Sequence, residues 1–533
     1  MQGIKELFPK IMYQVHLDEL VPQHNFYRLL NKELDLHFLY KATQQYYGDE
    51  GQESIDPVVF FKICLVGYLN NINSDRKLIE YCSNCLDIRL FIKYDIDEPL
   101  PWHSTISRTR QLYGEEVFLE LFRTVLALCV SKGMVSGKRQ AVDSAFIKAN
   151  ASMDSLVEKE VLEDVSTYAE ELNQNSEFKV TSQKKKQVEQ HHGWKQRQSK
   201  DMPGYGYRDG KEGDSGDFIQ SRYLSNHTHY SPTDPDARIS TKPGKPRNLN
   251  YSGQLSVDTA HHVITGAMAN FADRRDSQCL QHIVNQTMEN LESNGLKMEQ
   301  LLADTGYSSG EALQYLQANN IDAYIPNFGQ YKPEREGFIY NKELDRYECQ
   351  RGNRAILPFK GVRKRHDEYQ FNQYRSSESV CKNCPLRKAC CGGKTKFKKI
   401  DHSIYKEYYD LMHMKLADNE AYAQRMSRLR ASTVEPVLGT LINFLSMKRV
   451  NTRGIDLANK HVLMAALTYN LKKYLKFVSK RVISNTIAIN VDVEAVFLAY
   501  FSVYWLIFRP FKPIFRGNEN CMPKTGLSSK QLF

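Results

Sequence analysis

The sequence AVDSAFIKANAS, residues 141–152, is the stretch from which the fold is most directly inferred. Its apolar and small residues predict a strand over residues 140–147. Asp143 lies inside that strand. A carboxylate in an apolar strand costs free energy unless it is paired or binds a metal ion. Asp143 is therefore the first candidate for a functional residue.

The segments that follow alternate between strand and helix patterns. They predict an α/β fold in which helices flank a mixed sheet. Ser309 is the expected N-cap of one of these helices. The predicted elements are a hairpin of residues 251–258 and 262–270, a helix over 279–291, a strand over 299–303, a helix over 310–319 and a strand over 322–325.

A second acidic residue, Asp304, stands in LLADTGYSSGEAL, residues 301–313. It follows a short apolar strand directly. The ends of strands in α/β sheets are where ligand-binding groups collect. A single aspartate at such a place is more often a turn or cap residue. Asp304 is therefore a candidate functional residue only in combination with other motifs.

A third acidic residue, Glu435, stands in RLRASTVEPVLGTL, residues 428–441. Ser432 and Glu435 have capping-box spacing, in which Glu435 would only satisfy a backbone N–H. Pro436 fits a helix that starts at a Thr433 cap, because the missing N–H would then cost no hydrogen bond. The alternative is a longer helix that kinks at Pro436 and directs the Glu435 carboxylate towards a site.

Residues 1–135 are predicted to be mainly helical, with apolar helices over 58–69 and 117–130. Between them, Ser104 is expected to cap a short helix that carries Arg108 and Arg110. A helix, a turn and a basic helix form a unit that docks on DNA. A solvated basic helix face explains the same residues equally well.

Composition favours a polyanionic partner over an acidic small molecule, although ordinary solubility charge explains the same excess. The 533 residues carry a formal net charge of +10, and 41% of them are hydrophobic.

The N-terminus has no continuous apolar stretch of the signal-peptide type. The longest apolar run, residues 495–508, is shorter than the roughly 20 residues of a membrane-spanning helix. A cytoplasmic protein with no membrane partner is expected.

A cysteine cluster lies in a region poor in aliphatic residues. Cys381 and Cys384 have C-x₂-C spacing, with Cys349 upstream and Cys390 and Cys391 downstream. Four such thiolates could hold a structural Zn²⁺. The irregular spacing fits unligated thiols just as well.

In this order, the three quoted segments resemble the acidic motifs of DDE-type bacterial insertion-sequence transposases, in the IS4/IS5-related group. The resemblance extends over most of the chain. It includes the stretches TDPDAR at residues 233–238, CKNC at 381–384 and YNLKK at 469–473. It implies an RNase H-like catalytic core in which Asp143, Asp304 and Glu435 together bind two Mg²⁺ or Mn²⁺ ions.

The implied reaction is metal-dependent cleavage of DNA at the element ends, followed by strand transfer to target DNA. Two metal ions can activate the nucleophile and stabilise the leaving oxygen. Arg428 and Arg430 precede Glu435 by less than two helical turns, where they could bind DNA phosphates. Many relatives carry a lysine about two turns after the glutamate, where this chain has Ile442 and Asn443.

The resemblance also implies partners and a domain order. The partners are double-stranded DNA, as terminal repeats and target, and a second copy in a homodimer on DNA in the bacterial nucleoid. The expected domains are a helical DNA-binding domain over 1–135, a catalytic core over 136–326 and 416–480 with a flexible insertion at 151–250, a Cys-rich basic insertion over 327–415 that precedes the catalytic helix, and a C-terminal segment over 481–533.

Two other functions compete with this interpretation. Residues 306–310 read G-x-S-x-G between a strand and a helix, as in a serine hydrolase with Ser308 as nucleophile. No oxyanion motif precedes them, and a hydrolase leaves the basic composition unexplained. The other alternative is a catalytically inactive or domesticated DNA-binding protein, although all three acidic residues are present.

Overall fold

The computed structural model describes residues 16–48, 54–158, 226, 229–240, 247–329, 331–365, 369–392 and 395–479. The chain divides into two units, Met1–Tyr474 and Leu475–Phe533. Of the second unit, residues 475–479 are described, and they are helical. Most of the predicted insertion at 151–250, the apolar run 495–508 and the segment 481–533 lie outside the described residues.

Eight helices form the N-terminal part of the first unit as described. The helices predicted over 58–69 and 117–130 are confirmed. Pro57 opens the first of these two, and the Asp56 carboxylate accepts the N–H groups of Val58 and Val59, which fixes its start. The eight are α1 (Leu17–Leu20), α2 (Phe26–Glu33), α3 (Phe38–Thr43), α4 (Pro57–Leu69), α5 (Asp75–Asn84), α6 (Leu86–Ile92), α7 (His103–Leu112) and α8 (Glu115–Ser131).

A six-stranded mixed sheet follows these helices, together with a separate two-stranded pair. The predicted strand around Asp143, the hairpin and the two short strands are all confirmed. The strands are β1 (Arg139–Lys148), β2 (Val157–Glu158), β3 (His229–Tyr230), β4 (Arg238–Ser240), β5 (Asn248–Asp258), β6 (Ile264–Phe271), β7 (Gln300–Leu302) and β8 (Asp322–Tyr324), of which β2 and β3 form the pair.

The strand order places β1 in the middle of the sheet. One edge of β1 pairs with β5 in antiparallel register, and the other edge pairs with β7 in parallel register. Strand β8 continues the sheet parallel to β7, and β6 and β4 pair antiparallel with β5. The result is a mixed α/β architecture with the order β6-β5-β1-β7-β8, β4 lying beside the start of β5.

Helices cover both faces of this sheet. The predicted helices are α9 (Asp276–Glu292), which packs on β5 and β6, and α10 (Gly310–Ala318), which joins β7 to β8. The hydroxyl of Ser309 accepts the N–H of Ala312, so the predicted N-cap of α10 is confirmed. A later helix, α14 (Glu420–Phe444), packs on β1 and β5.

A second, five-stranded antiparallel sheet lies between β8 and α14 along the chain. Its small core mixes aromatic and aliphatic residues, with Tyr347 and Tyr374 fully buried beside Leu357 and Ile400. The elements of this region are β9 (Phe338–Asn341), β10 (Arg346–Cys349), β11 (Ile356–Lys364), β12 (Gln370–Arg375), α11 (Glu378–Lys382), α12 (Arg387–Cys391), β13 (Lys399–Ser403) and α13 (Lys406–Asp418).

A further helix, α15, starts at residue 455, and its residues up to 474 belong to the first unit. Its start explains the TDPDAR stretch, because Asp234 accepts the N–H of Gly454 and Asp236 accepts the N–H of Ile455. Both carboxylates therefore cap the positive end of α15. Among the helices that the structure describes, none is long and apolar enough to cross a membrane.

The exposed edge of β6 is closed by amide side chains instead of another strand. Asn470 of α15 accepts the N–H of Ile264 and donates to the Ile264 carbonyl, both at 2.8 Å. Asn459 accepts the N–H of Ala269 at 2.7 Å. An unpaired strand edge is otherwise a template for association with another chain. The asparagine of the YNLKK stretch thus has a structural role.

We predict that Asn470→Ala destabilises the first unit. Asn470 is fully buried, so its loss leaves the N–H and the carbonyl of Ile264 without partners. Each unpaired group costs about 1–3 kcal/mol, which gives a total of about 2–6 kcal/mol for the two groups. The urea midpoint of unfolding measures this change. The exposed Lys472→Ala serves as control and should shift it little; equal midpoints for both variants would contradict the edge-closing role.

Candidate active site

The parallel register of β1 and β7 brings two acidic residues side by side. Ala141 lies opposite Leu302, and Asp143 and Asp304 each follow two residues later. Residues two apart on a strand share a face, and neighbouring strands lie about 4.8 Å apart. Burial raises the pKa of the Asp143 carboxyl above its usual range, and the charge of Asp304 raises it further; the Ser144 N–H and Arg430 oppose both effects.

Helix α14 brings Glu435 to the same place through Arg430. The Arg430 guanidinium donates to Asp143 Oδ2 at 2.8 Å and to Glu435 Oε1 at 3.3 Å. The side chains of Arg430 and Asp143 are 14% and 17% exposed, whereas that of Glu435 is 60% exposed. The guanidinium therefore links Asp143 and Glu435 directly, and Asp304 lies close enough to Asp143 to raise its pKa, at a site with a buried and an open side.

The buried side chains of Gln254 and Tyr307 contact each other on the interior side of this site. Gln254 on β5 donates to Asp276 Oδ1 at 2.9 Å and accepts a hydrogen bond from the Tyr307 hydroxyl. Burial raises the pKa of the Tyr307 hydroxyl well above its usual range, and the charges of Asp276, Asp143 and Asp304 act in the same direction. Four acidic or phenolic groups thus share one small region.

Asp304 is held by its own backbone turn. Its Oδ1 atom accepts the N–H of Gly306 at 2.9 Å, as the cap of a short 3₁₀ turn. A Cβ atom on Gly306 would lie 3.1 Å from Asp304 Oδ1 and 3.3 Å from Asp276 Oδ2. The absence of a side chain at Gly306 therefore lets the backbone approach both carboxylates.

The charges at the site are unbalanced. Asp143, Asp304 and Glu435 supply carboxylate oxygens, and Arg430 is the cation paired with Asp143 and Glu435. Within the described residues, no three His, Cys, Asp or Glu side chains are placed to hold a metal ion as they stand. Carboxylate oxygen is the donor that Mg²⁺ and Mn²⁺ prefer, so the donor set suits these ions once Arg430 is displaced.

The capping-box interpretation of Glu435 is wrong. Helix α14 begins after Asn419, whose side chain accepts the N–H of Tyr422, and continues through Pro436. The Ser432 hydroxyl donates to the Leu429 carbonyl instead of capping a helix start. Neither Ser432 nor Thr433 is an N-cap, so the Glu435 side chain is free to face the aspartates.

The Ser308 hydroxyl lies near this site and lacks the partner that a serine nucleophile needs. Its Oγ atom is buried and has no hydrogen-bond partner in the described part of the chain. No described side chain is therefore in position to remove its proton. This geometry gives the serine hydrolase alternative no support.

The arginines named from the sequence fall into different environments. Arg110 forms a bidentate pair with Asp75, in which the two side chains are 12% and 18% exposed. Arg108 and Arg428 are exposed. Ser104 lies inside α7, whose N-cap is Trp102 without a side-chain cap, so the predicted Ser104 cap is wrong.

The cysteines of the second sheet converge on one cavity. Cys349, Cys381, Cys384, Cys390 and Cys391 all line a space of about 380 Å³. A Cβ atom on Gly352 would lie 2.5 Å from Cys384 Sγ, so the chain after Cys349 closely approaches that thiol. The thiols share a cavity without metal-holding geometry as they stand.

Sequence reasoning missed Asp276, Gln254 and Tyr307, which form the layer behind the aspartates. An acidic residue in the first turn of a helix is ordinary, so Asp276 carried no distinct signal. Gln254 and Tyr307 become informative only when the register of β5 and the 3₁₀ turn are known. Sequence reasoning also assigned Arg430 to DNA binding, whereas the structure places Arg430 between two carboxylates.

Two family models match separate parts of the chain. Residues 15–112 match a family described as "Transposase domain (DUF772)", and residues 348–475 match one described as "Transposase DDE domain". The second match contains Glu435 and the cysteine cluster. A comparison with curated proteins finds no match. The two matches support an insertion-sequence DDE transposase, a kind of enzyme that acts on DNA.

The different environments of the two N-terminal arginines predict different variants. Arg110→Ala should destabilise folding by about 3–5 kcal/mol, because it leaves the Asp75 carboxylate buried and unpaired. Arg108→Ala should leave stability within about 0.5 kcal/mol, weaken DNA binding and reduce its salt dependence by about one unit of slope. Urea unfolding and a salt titration of DNA affinity separate the two effects. Unchanged DNA affinity in Arg108→Ala at every salt concentration would place the contact elsewhere, for example at residues 360–365.

Proposed function

We propose that this chain is an active DNA transposase of the IS4/IS5-related group. Asp143, Asp304 and Glu435 bind two Mg²⁺ or Mn²⁺ ions, and the enzyme cleaves DNA at the element ends and joins the freed ends to target DNA. The observation that carries this proposal is that the Arg430 guanidinium bridges Asp143 and Glu435 while Asp304 lies close to Asp143, although the three residues are far apart in sequence.

The strand order supports an RNase H-like catalytic core. Three antiparallel strands, β6, β5 and β1, are followed by the parallel strands β7 and β8. Asp143 lies on β1, Asp304 follows β7, and Glu435 lies on α14, which packs across β1. This is the arrangement that the resemblance of the three acidic motifs implies for such a core.

Each acidic residue has a distinct position for holding the ions. Asp143 is mostly buried and is fixed by the Ser144 N–H at 2.8 Å. Asp304 is fixed by its turn, and the exposed Glu435 side chain can adjust. When bound, the ions supply Lewis-acid activation of the attacking hydroxyl and stabilise the leaving oxygen. The rigid pair thus sets the position of the site, and Glu435 closes it.

DNA is the partner that the charge distribution favours. Arg425 and Arg428 are exposed on α14, on the chain segment that leads to Glu435. The net charge of +10 provides attraction at longer range. We propose that residues 1–135 recognise the element ends, with Arg108 among the contacts, and that two copies act together on DNA in the nucleoid.

A catalytically inactive DNA-binding protein is the main alternative. It would explain the exposed arginines and the transposase-domain matches. It would not explain why a buried carboxylate, Asp143, is kept beside Asp304 at a cost in free energy. The active enzyme is therefore the better account of the site.

We further propose that four of the clustered cysteines bind a structural Zn²⁺ in the sheet over β9–β13. Cys349, Cys381, Cys384 and Cys390 line the shared cavity, and Cys391 is the alternative fourth ligand. Burial raises the pKa of the Cys391 thiol to about 11, and the neighbouring Cys390 adds to this effect. Thiolates placed this close together repel one another. A bound dication would offset that repulsion.

Asp304→Asn should retain DNA binding and lose Mg²⁺-dependent cleavage. The amide oxygen can still accept the Gly306 N–H, so the turn is preserved while one ligand charge is lost. The loss of rate should exceed about 100-fold, since changes one shell further out already cost about 10- to 100-fold. Gel assays of strand nicking on supercoiled DNA measure this. Glu311→Gln, an exposed carboxylate on α10, is the control. Retained nicking in Asp304→Asn would refute the proposed site.

The zinc proposal predicts about one zinc per purified chain. Cys384→Ser should lose that metal and increase hydrogen exchange in residues 338–403, while strands β1 and β5 keep their protection. Cys85→Ser, a partly exposed cysteine outside the cluster, should change neither property. Metal-free wild-type protein with full protection of the second sheet in chelator would favour unligated thiols.

A further inference from the structure

We infer that Arg430 is an internal counter-ion that couples metal binding to DNA binding. In this inference Arg430 occupies the carboxylates while no divalent ion is bound and moves to a DNA phosphate when ions enter. The inference rests on the proposed metal-dependent function. It extends that function, because bound metal would promote DNA binding and bound DNA would promote metal binding.

The contacts of Arg430 are the contacts that a metal ion would need. Its two terminal nitrogens donate to Asp143 Oδ2 at 2.8 Å and to Glu435 Oε1 at 3.3 Å. A guanidinium and a divalent ion compete for these carboxylates, because two cations held this close together repel each other. Metal binding therefore disfavours the present position of Arg430 at Asp143.

The unliganded site needs such a cation. Asp143 and Asp304 lie side by side, and Asp276 lies behind them near Gly306. Without Arg430, the buried Asp143 carboxylate would keep the Ser144 N–H as its described polar contact. Arg430 thus stabilises the folded site before any ion arrives, and this stabilisation is lost when an ion displaces it.

A second position for Arg430 lies on the open side of the site. Glu435 is 60% exposed, so the guanidinium can leave past it towards solvent. The exposed Arg425 and Arg428 on the same helix mark where a DNA backbone would run. Arginine binds phosphate with the same bidentate geometry that it uses for carboxylate. A phosphate near Glu435 would therefore replace the carboxylates as the hydrogen-bond partner of Arg430.

Linkage makes this arrangement reciprocal. If DNA stabilises the displaced position of Arg430, it raises the affinity for metal, and metal must raise the affinity for DNA by the same factor. Couplings of this type are commonly about 5- to 150-fold. An enzyme of this kind would load its ions mainly after it has bound DNA, which limits cleavage by the free protein.

The test measures Mn²⁺ affinity of the full-length protein by electron paramagnetic resonance, and the affinity for a labelled nonspecific duplex by fluorescence anisotropy with and without Mn²⁺. Arg430→Gln should bind Mn²⁺ on the order of tenfold more tightly than wild type in the absence of DNA. Mn²⁺ should strengthen duplex binding on the order of tenfold in wild type and less than about twofold in Arg430→Gln.

Two further variants make the result specific. Arg425→Gln removes one exposed charge from the same helix and should keep the wild-type coupling, even if it binds DNA more weakly. Arg430→Lys keeps the charge but lacks the planar fork that spans the two carboxylates here, so its Mn²⁺ affinity should lie between those of wild type and Arg430→Gln. It also provides a folded variant if the glutamine variant unfolds.

Each remaining outcome separates this inference from the proposed function. If Arg430→Gln and Arg430→Lys bind Mn²⁺ no more tightly than wild type, Arg430 only positions the carboxylates and the inference is overturned. If Mn²⁺ binding is the same in wild type and Asp304→Asn, the ion is not bound at the acidic site, and the proposed function fails with it. Binding that depends on Asp304 but not on Arg430 overturns the inference alone.

Discussion

The mutual repulsion of carboxylates near the middle of the sheet is the constraint on which the rest of the site depends. The parallel pairing of β1 and β7 brings Asp143 close to Asp304. The sheet thereby concentrates negative charge where a buried group can least tolerate it. A bridging guanidinium, a capping backbone turn and an open side next to Glu435 are the means by which the fold tolerates this charge.

Helix α15 connects this site to the rest of the first unit. Its asparagines close the edge of β6, and the Lys460 ammonium donates to the carbonyls of Arg110 and Tyr113 at the end of α7. Burial lowers the pKa of His461 to about 4, so the ring is neutral; it accepts from the Tyr68 hydroxyl and donates to the Ser446 carbonyl. A protein that must hold DNA in register with its site gains from such a fixed connection between its N-terminal helices and its sheet.

Much of the fold could be predicted from sequence because periodicity and cap residues act locally. The strand around Asp143, the hairpin and the Ser309 cap are examples. The Ser104 cap and the Ser432 capping box were wrong because a cap motif is defined by where a helix starts. Helix α7 starts after Trp102 and α14 starts after Asn419, so both serines lie inside their helices.

The three acidic residues could be proposed from sequence, whereas their contacts could not. Asp143, Asp304 and Glu435 stand in recognisable motifs, whereas the pairing of Arg430 with Asp143 and of Arg110 with Asp75 depends on tertiary distances. A basic residue beside an acidic motif can bind either DNA or the acidic residue itself, and only the fold decides which. The layer of Gln254, Asp276 and Tyr307 was likewise not predictable from sequence, because three separate segments form it.

The most direct test of this account is the anomalous scattering of Mn²⁺ in crystals of the protein bound to a DNA duplex. The account predicts Mn²⁺ peaks within ligand distance of Asp143, Asp304 and Glu435, with the Arg430 guanidinium moved from Asp143 to a DNA phosphate. Absence of Mn²⁺ from these three carboxylates, with Arg430 still bridging Asp143 and Glu435 in the DNA complex, would contradict it.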